Sequence, residues 1–168
     1  MRGLRIVPVP EMVGRPGSIP YDFSQLVEPV ADQINALWWA ARGTVVFSAA
    51  LRDGFPDDAT LAALFDDSEV EKGSPIWERA WLRPGGLKAL APFIQGDWTD
   101  IVGVQESSKP AMADVNTDTR WLEAHAEVYF ACVDAAFWAV FSSHPEILSL
   151  LRNRFPQSGD ISLDERWW

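Results

Sequence analysis

The spacing of apolar residues predicts helices along much of the chain. Leu26, Val30, Ile34 and Leu37 recur every three or four positions, as the buried side of a helix requires, and Gly43 ends the run. Similar spacing, often preceded by a capping residue or a first-turn proline, predicts four further helices. The predicted helices lie near 24–42, 58–66, 75–83, 87–94 and 144–155.

The helix near 144–155 has the clearest local signals. Ser143 stands three residues before Glu146, which is the spacing of a capping box, and apolar residues follow at helical intervals. The residues predicted to face the core are Ile147, Leu148, Leu151 and Phe155.

Runs rich in β-branched and aromatic residues predict strands. The predicted strands lie near 44–51, 98–105, 127–134 and 137–142. The last two flank the turn around Asp134 and are interpreted as a β-hairpin. Ala135, Ala136 and Ala139 would suit a buried helix as well, so the helix stays an alternative.

These elements predict one α+β domain over residues 1–168, with a mostly antiparallel sheet packed by helices. Residues 1–20 form a segment rich in Pro and Gly. A short extended stretch, Leu4 to Val9, is expected there, and the prolines place any strand in it at an edge of the sheet.

Composition and charge narrow the class of protein. The 168 residues include nine Trp and carry a formal net charge of −10. This acidity argues against a nucleic-acid partner, because binding the phosphate backbone requires clustered Lys and Arg. No run suggests a signal peptide or a membrane span, and the single Cys132, in an apolar run, predicts a buried thiol. We therefore expect a cytoplasmic protein that binds neither nucleic acid nor a membrane.

The sequence contains none of the familiar catalytic or cofactor motifs, such as a Gly-rich nucleotide loop, a Cys-x-x-Cys pair or a His-Glu-x-x-His helix. His125 and His144 are the two histidines. An enzyme that assembles its site from these imidazoles and distant carboxylates stays an alternative. We expect instead a protein that is not an enzyme and has no catalytic residues, metal or cofactor.

The strongest charge feature is the segment 53–71, which has seven acidic residues and no Lys or Arg. Asp57 and Asp58 precede a predicted helix and suit its amino-terminal cap. Asp66 and Asp67 follow that helix beside its negative end, where a carboxylate is slightly unfavourable, and this suggests another use. The alternative is an ordinary solvated loop and helix. The candidate partner-binding residues in this segment are Asp57, Asp58, Asp66, Asp67 and Glu69.

Trp39 is the candidate aromatic anchor for a partner. On a helix over 24–42 it points away from the apolar stripe and shares a face with Glu28 and Asp32. An aromatic side chain beside carboxylates is typical of binding hot spots for Arg or Lys. A helix covered on both sides would bury Trp39 instead.

The sequence ends in Trp167 and Trp168, which pose a similar choice. They either dock on the domain or contact another molecule. The second choice gives a further alternative function, a structural subunit that associates with itself.

The carboxy-terminal strands resemble those of a known class of proteins. The run Trp-Thr-Asp-Ile-Val-Gly-Val at 98–104 is followed by Val-Tyr-Phe-Ala-Cys-Val-Asp at 128–134, Phe-Trp-Ala-Val-Phe-Ser at 137–142 and a helix. This order resembles the carboxy-terminal pattern of small bacterial immunity proteins, over about the last 70 residues. The resemblance implies an α+β cytoplasmic inhibitor of a cognate toxin. Together with the acidity, it makes an immunity-type inhibitor of a basic protein toxin our leading expectation.

Overall fold

The computed structural model describes residues 1–7, 23–43, 45–47, 54–66, 76–94, 99–133 and 137–166. Its strands are β1 (Arg2–Ile6), β2 (Trp38–Arg42), β3 (Val45–Val46), β4 (Phe65–Asp66), β5 (Ile76–Trp77), β6 (Trp81–Leu82), β7 (Asp100–Val104), β8 (Val128–Val133), β9 (Phe137–Ser142) and β10 (Gly159–Ile161). Its α-helices are α1 (Phe23–Val27), α2 (Ala31–Ile34), α3 (Asp58–Leu64), α4 (Gly86–Leu90), α5 (Thr119–His125) and α6 (Pro145–Arg154). Short 3-10 turns cover Glu28–Val30, Ala91–Phe93, Glu106–Ser108, Met112–Asp114 and Leu163–Glu165.

Eight strands form one antiparallel sheet in the order β10-β1-β9-β8-β7-β2-β6-β4. β3 and β5 pair separately as a two-stranded sheet. The sheet joins residues from both ends of the sequence, since β1 lies between β9 and β10. The predicted α+β class with a mostly antiparallel sheet is confirmed.

Both faces of the large sheet are buried. One face, called here the helix-covered face, holds Trp39, Phe130 and Trp138 beneath α1, α4 and α6. The other, called the loop-covered face, holds Tyr129 and Phe141 beneath residues 105–127, which include α5, and the turn at Leu163–Glu165. Because side chains alternate between two buried faces, the central strands are continuous apolar runs.

The three strands predicted in the carboxy-terminal half are present. The strand near 98–105 is β7, and the runs near 127–134 and 137–142 pair as β8 and β9, with Cys132 opposite Trp138. The hairpin is therefore confirmed over the buried-helix alternative, although residues 134–136 lie outside the described part. Cys132 is buried, as predicted.

Three of the predicted helices are present. The helices near 58–66, 87–94 and 144–155 are observed as α3, α4 and α6, and the four core residues predicted for α6 are buried. The predicted capping box is wrong, because the Ser143 hydroxyl donates to Glu127 Oε2 at 2.9 Å and the cap residue of α6 is His144.

The helix predicted over 24–42 is wrong in its second half. The helical stretch ends at Ile34, and Trp38–Arg42 is β2, paired with β7 and β6. Trp38 faces the loop-covered core and Trp39 the helix-covered core, which is strand alternation. Because Trp38 to Ala41 are all apolar, they fit helical spacing and a fully buried strand equally well.

The helix predicted over 75–83 is also wrong. The described residues there form β5 and β6, joined by a tight turn in which Trp77 Nε1 donates to the carbonyl of Ala80 at 2.9 Å. Arg79 in this turn has a positive φ of 52°, which a continuous helix does not allow. Tertiary pairing of β6 with β2 and β4 outweighs the helical spacing of the apolar residues.

The remaining differences lie near the ends of the sheet. β1 is an interior strand, because the unpredicted β10 covers its outer side, so the expected edge position is wrong. α5 was not predicted either. Of the strand near 44–51, the structure describes Val45–Val46 as β3 and a bridge from Phe47 to Ile94, while residues 44 and 48–51 lie outside the described part.

Candidate functional site

The acidic residues proposed from the sequence separate into two groups. Asp57 caps α3, since its carboxylate accepts the Thr60 N–H at 2.8 Å, and this bond lowers the pKa of Asp57. Asp58 follows in the first turn and is exposed. Asp67 and Glu69 lie outside the described residues. Among the candidate residues of segment 53–71 that the structure describes, only Asp57 and Asp58 are exposed carboxylates without a cationic partner.

Asp66 is neutralised within the protein. It lies in β4, where its carboxylate pairs with Arg83 Nη2 at 3.1 Å and with Lys109 Nζ at 2.5 Å. The hydrogen bond from Lys109 is the main cause of its lowered pKa. The interpretation of Asp66 as a free carboxylate placed for a partner is therefore wrong.

Trp39 cannot anchor a partner. Its side chain is 0% exposed, lies 5.9 Å from the ring of Phe130, and covers Gly103 so closely that a Cβ there would be 2.6 Å from the indole. The predicted outward position depended on a helix over 24–42, and β2 replaces that helix at residue 38. Trp39 is a core residue, as the alternative interpretation held.

Glu28 and Asp32 remain on the surface as predicted, although Trp39 is not beside them. Both are exposed and line a groove of 610 Å³ between α1, α2, α4 and α6. Lys88 is the one cation among the described groove residues, and neither carboxylate forms an ion pair with it. Val27 and Leu150 give the groove an apolar floor. Uncompensated carboxylates beside apolar surface suit the side chain of a Lys or Arg from another molecule.

Asp57 and Asp58 belong to the same side of the molecule as this groove. Leu61 of α3 joins the core of the helix-covered face, and Phe55, just before α3, contacts Phe93 edge-on at 5.1 Å. The helix-covered face therefore presents two pairs of carboxylates without a described cationic partner. We call Glu28, Asp32, Asp57 and Asp58 the acidic surface.

A second group of polar residues on the loop-covered side was missed by sequence reasoning. Lys109 Nζ lies 3.6 Å from the centroid of the Trp38 ring and 5.6 Å from that of Trp81, while pairing with Asp66. The guanidinium carbon of Arg83 lies 6.0 Å from the centroid of the Trp38 ring. Lys109 is 43 residues from Asp66 in the chain, so no local pattern could have revealed this cluster. It fastens the segment after β7 to the β4 end of the sheet.

A buried polar network also lies on the loop-covered face. Tyr129 donates a short hydrogen bond to Asp100, and Arg166 donates to the carbonyls of Leu163 and Thr117. Burial raises the pKa of Asp100, against the opposing effects of the Tyr129 hydrogen bond and the nearby arginines. Burial likewise raises the pKa of Tyr129. These contacts hold the last described turn against the sheet.

The two histidines are not joined to each other by a hydrogen bond. His144 Nε2 lies 2.7 Å from Glu127 Oε2, and its Nδ1 lies 3.5 Å from Glu146. The ring of His125 lies 4.9 Å from that of Trp121. Across the described ranges, no three His, Cys, Asp or Glu side chains cluster in a way that could hold a metal ion.

None of the helices in the ranges given above has the length and apolar character needed to cross a bilayer.

Comparison with known proteins adds no relative. The sequence matches no protein-family model, and searches of curated proteins and of solved structures give no significant match. The resemblance of the carboxy-terminal strands to immunity proteins therefore stays a prediction.

Proposed function

We propose that this protein is an acidic protein-binding module, and specifically an immunity-type inhibitor that binds and neutralises a cognate basic bacterial toxin in the cytoplasm. In this proposal it is not an enzyme and uses no cofactor. The observation that carries the proposal is the pair of exposed carboxylates, Glu28 and Asp32, beside the groove of the helix-covered face.

Two physical features support recognition at this groove. The carboxylates stand on short helical elements whose apolar sides, including Val30 and Ile34, are buried in the core, so their positions are well defined. Their charge is also not balanced by an ion pair, so a Lys or Arg from a partner gains a charged hydrogen bond without displacing an internal one.

The rest of the acidic surface and the net charge of −10 favour a basic partner. Such a charge speeds encounter with an oppositely charged protein. A toxin that recognises phosphate groups uses Lys and Arg in its active cleft, and carboxylates on a rigid surface would occupy those groups. Inhibition would then result from covering the cleft.

Affinity capture followed by a toxicity assay tests the proposal. We expect the protein to retain one basic protein whose expression alone stops growth, and co-expression of the wild-type chain to restore growth. Glu28→Lys with Asp32→Lys should abolish protection. The matched control is Glu106→Lys with Asp114→Lys, two exposed residues on the loop-covered side without ion pairs. Each double variant changes the net charge from −10 by four units, so a loss confined to the first pair reflects position and not total charge.

The proposal is wrong if no growth-inhibiting protein is retained, or if both double variants protect as well as the wild-type chain. Urea denaturation of each variant should show the wild-type midpoint, which ensures that any loss of protection does not come from unfolding.

A further inference from the structure

Two adjoining cavities lie on the side of the molecule away from the acidic surface. The larger, of 560 Å³, is bordered by the end of β2, the turn between β5 and β6, and Met112, Ala113 and Val115. The smaller, of 260 Å³, continues toward Trp81 and Lys109. Arg79 and Met112 belong to the walls of both, so the two cavities adjoin at these residues, and we call them together the cleft.

The cleft contains two arginines, Arg42 and Arg79, that form no ion pair with a described carboxylate. Asp100 lies opposite Arg42 in the pairing of β2 with β7 and interacts with it electrostatically, but burial raises the pKa of Asp100, which weakens this compensation. Lys109 also lines the cleft, but it forms an ion pair with Asp66. The carboxylates in the lining of the cleft are those of Asp66 and Glu78. A protein of net charge −10 has many acidic residues available to pair these arginines. Two guanidiniums without an ion pair in one concavity suit the binding of a carboxylate or phosphate group.

The backbone of Arg79 supports a role for its side chain. This residue has φ of 52°, in the left-handed region, which residues other than Gly rarely adopt because their Cβ approaches the following carbonyl oxygen. The hydrogen bond from Trp77 Nε1 to the Ala80 carbonyl fixes the turn, so Arg79 cannot relax independently. Glycine would satisfy this backbone better, and a strained residue with its guanidinium at the junction of two cavities points to a functional constraint.

Apolar groups complete the cleft. Ala41, Met112 and Val115 line the larger cavity, and Trp81 lines the smaller one. The indole N–H of Trp81 is buried and has no hydrogen-bond acceptor in the structure. A ligand that fits this lining combines an anionic group with an apolar one.

We propose that this cleft binds a small organic anion, a carboxylate or phosphate joined to an apolar group, through the guanidiniums of Arg42 and Arg79. The anionic group lies between the two arginines, and the apolar group contacts Met112. This site is separate from the acidic surface and does not depend on the proposed inhibitor function.

Binding of two simple probes tests this site. Phenyl phosphate and benzoate should each be titrated into the full chain by calorimetry, with the indole N–H resonance of Trp81 followed in parallel by NMR. We expect saturable binding in the millimolar range and a shift of that resonance. The tighter of the two probes identifies the anionic group that the site prefers.

Arg79→Gly is the decisive variant, because it removes the guanidinium and relieves the backbone at once. This variant should weaken binding of the probe about tenfold, which is the effect of losing one charged hydrogen bond. Its urea midpoint should equal or exceed that of the wild type. Arg120→Ala, an exposed arginine on α5 away from the cleft, should bind as the wild type does. Absence of binding by both probes, or equal binding by Arg79→Gly and the wild type, would overturn the proposal.

Discussion

Replacing Gly103 with Ala tests the packing of β2 against β7 directly. Gly103 pairs with Trp39 in register, and an added Cβ would lie 2.6, 2.7 and 3.0 Å from three atoms of the Trp39 ring. The ring is fully buried and contacts Phe130, so it has little room to move. Overpacking of this kind costs about 1–3 kcal/mol.

The expected change is measurable by urea denaturation. With a slope of about 2 kcal/mol per molar, a loss of this size lowers the midpoint by roughly 0.5–1.5 M. Gly159→Ala in β10 is the matched control, because a Cβ there meets nothing within 4 Å. It should leave the midpoint unchanged or raise it slightly, since Ala restricts the unfolded chain more than Gly does. Equal midpoints for the two variants would refute the burial of Trp39 over Gly103, and with it the strand at 38–42.

Three further predictions concern carboxylates in different surroundings. The pKa of Asp100 is raised by burial, so its protonated form favours the folded state, and the stability of the wild type relative to Asp100→Asn should fall as pH rises above 3.8. The pKa of Asp66 is lowered, so the stability of the wild type relative to Asp66→Asn should fall as pH decreases below 3.8. Denaturation midpoints measured from below to above pH 3.8 check both predictions. A stability difference that changes with pH in the same direction for both pairs of proteins would contradict them. Asp66→Lys should lower the midpoint because it places a third cation beside Lys109 and Arg83, whereas Asp58→Lys, which breaks no ion pair and only opposes the dipole of α3, should lower it less.

The sequence predicted the secondary structure correctly where local signals and the pattern of buried residues indicated the same element. β7, β8, β9 and α6 were predicted because each is a long run with a consistent pattern, bounded by turn or cap residues. Residues 38–42 were assigned to a helix, because a strand buried on both faces loses the polar alternation that distinguishes it from a buried helix, and β2 lacks the β-branched residues that mark β8 as a strand. The two-residue strands β4, β5 and β6 are too short to show any period, and only their pairing partners define them.

The candidate site was predictable only in part, for the same reason. Glu28 and Asp32 lie on elements whose helical character was correctly predicted, and their exposure follows from that. Trp39 was predicted to point outward because residues 38–42 were assigned to a helix, whereas they form β2 and bury it. The partners of Asp66 come from β6 and from the segment after β7, so its neutralisation depends on tertiary contacts that no local pattern encodes.

The salt dependence of partner association tests the central claim most directly. For the wild-type chain and its captured partner, stopped-flow measurements should show an association rate that falls steeply as ionic strength rises. Glu28→Lys with Asp32→Lys should slow association about tenfold at low salt and flatten this dependence, while Glu106→Lys with Asp114→Lys changes both much less. The same rate and the same salt dependence for the first double variant and the wild type would show that the groove carboxylates do not meet the partner.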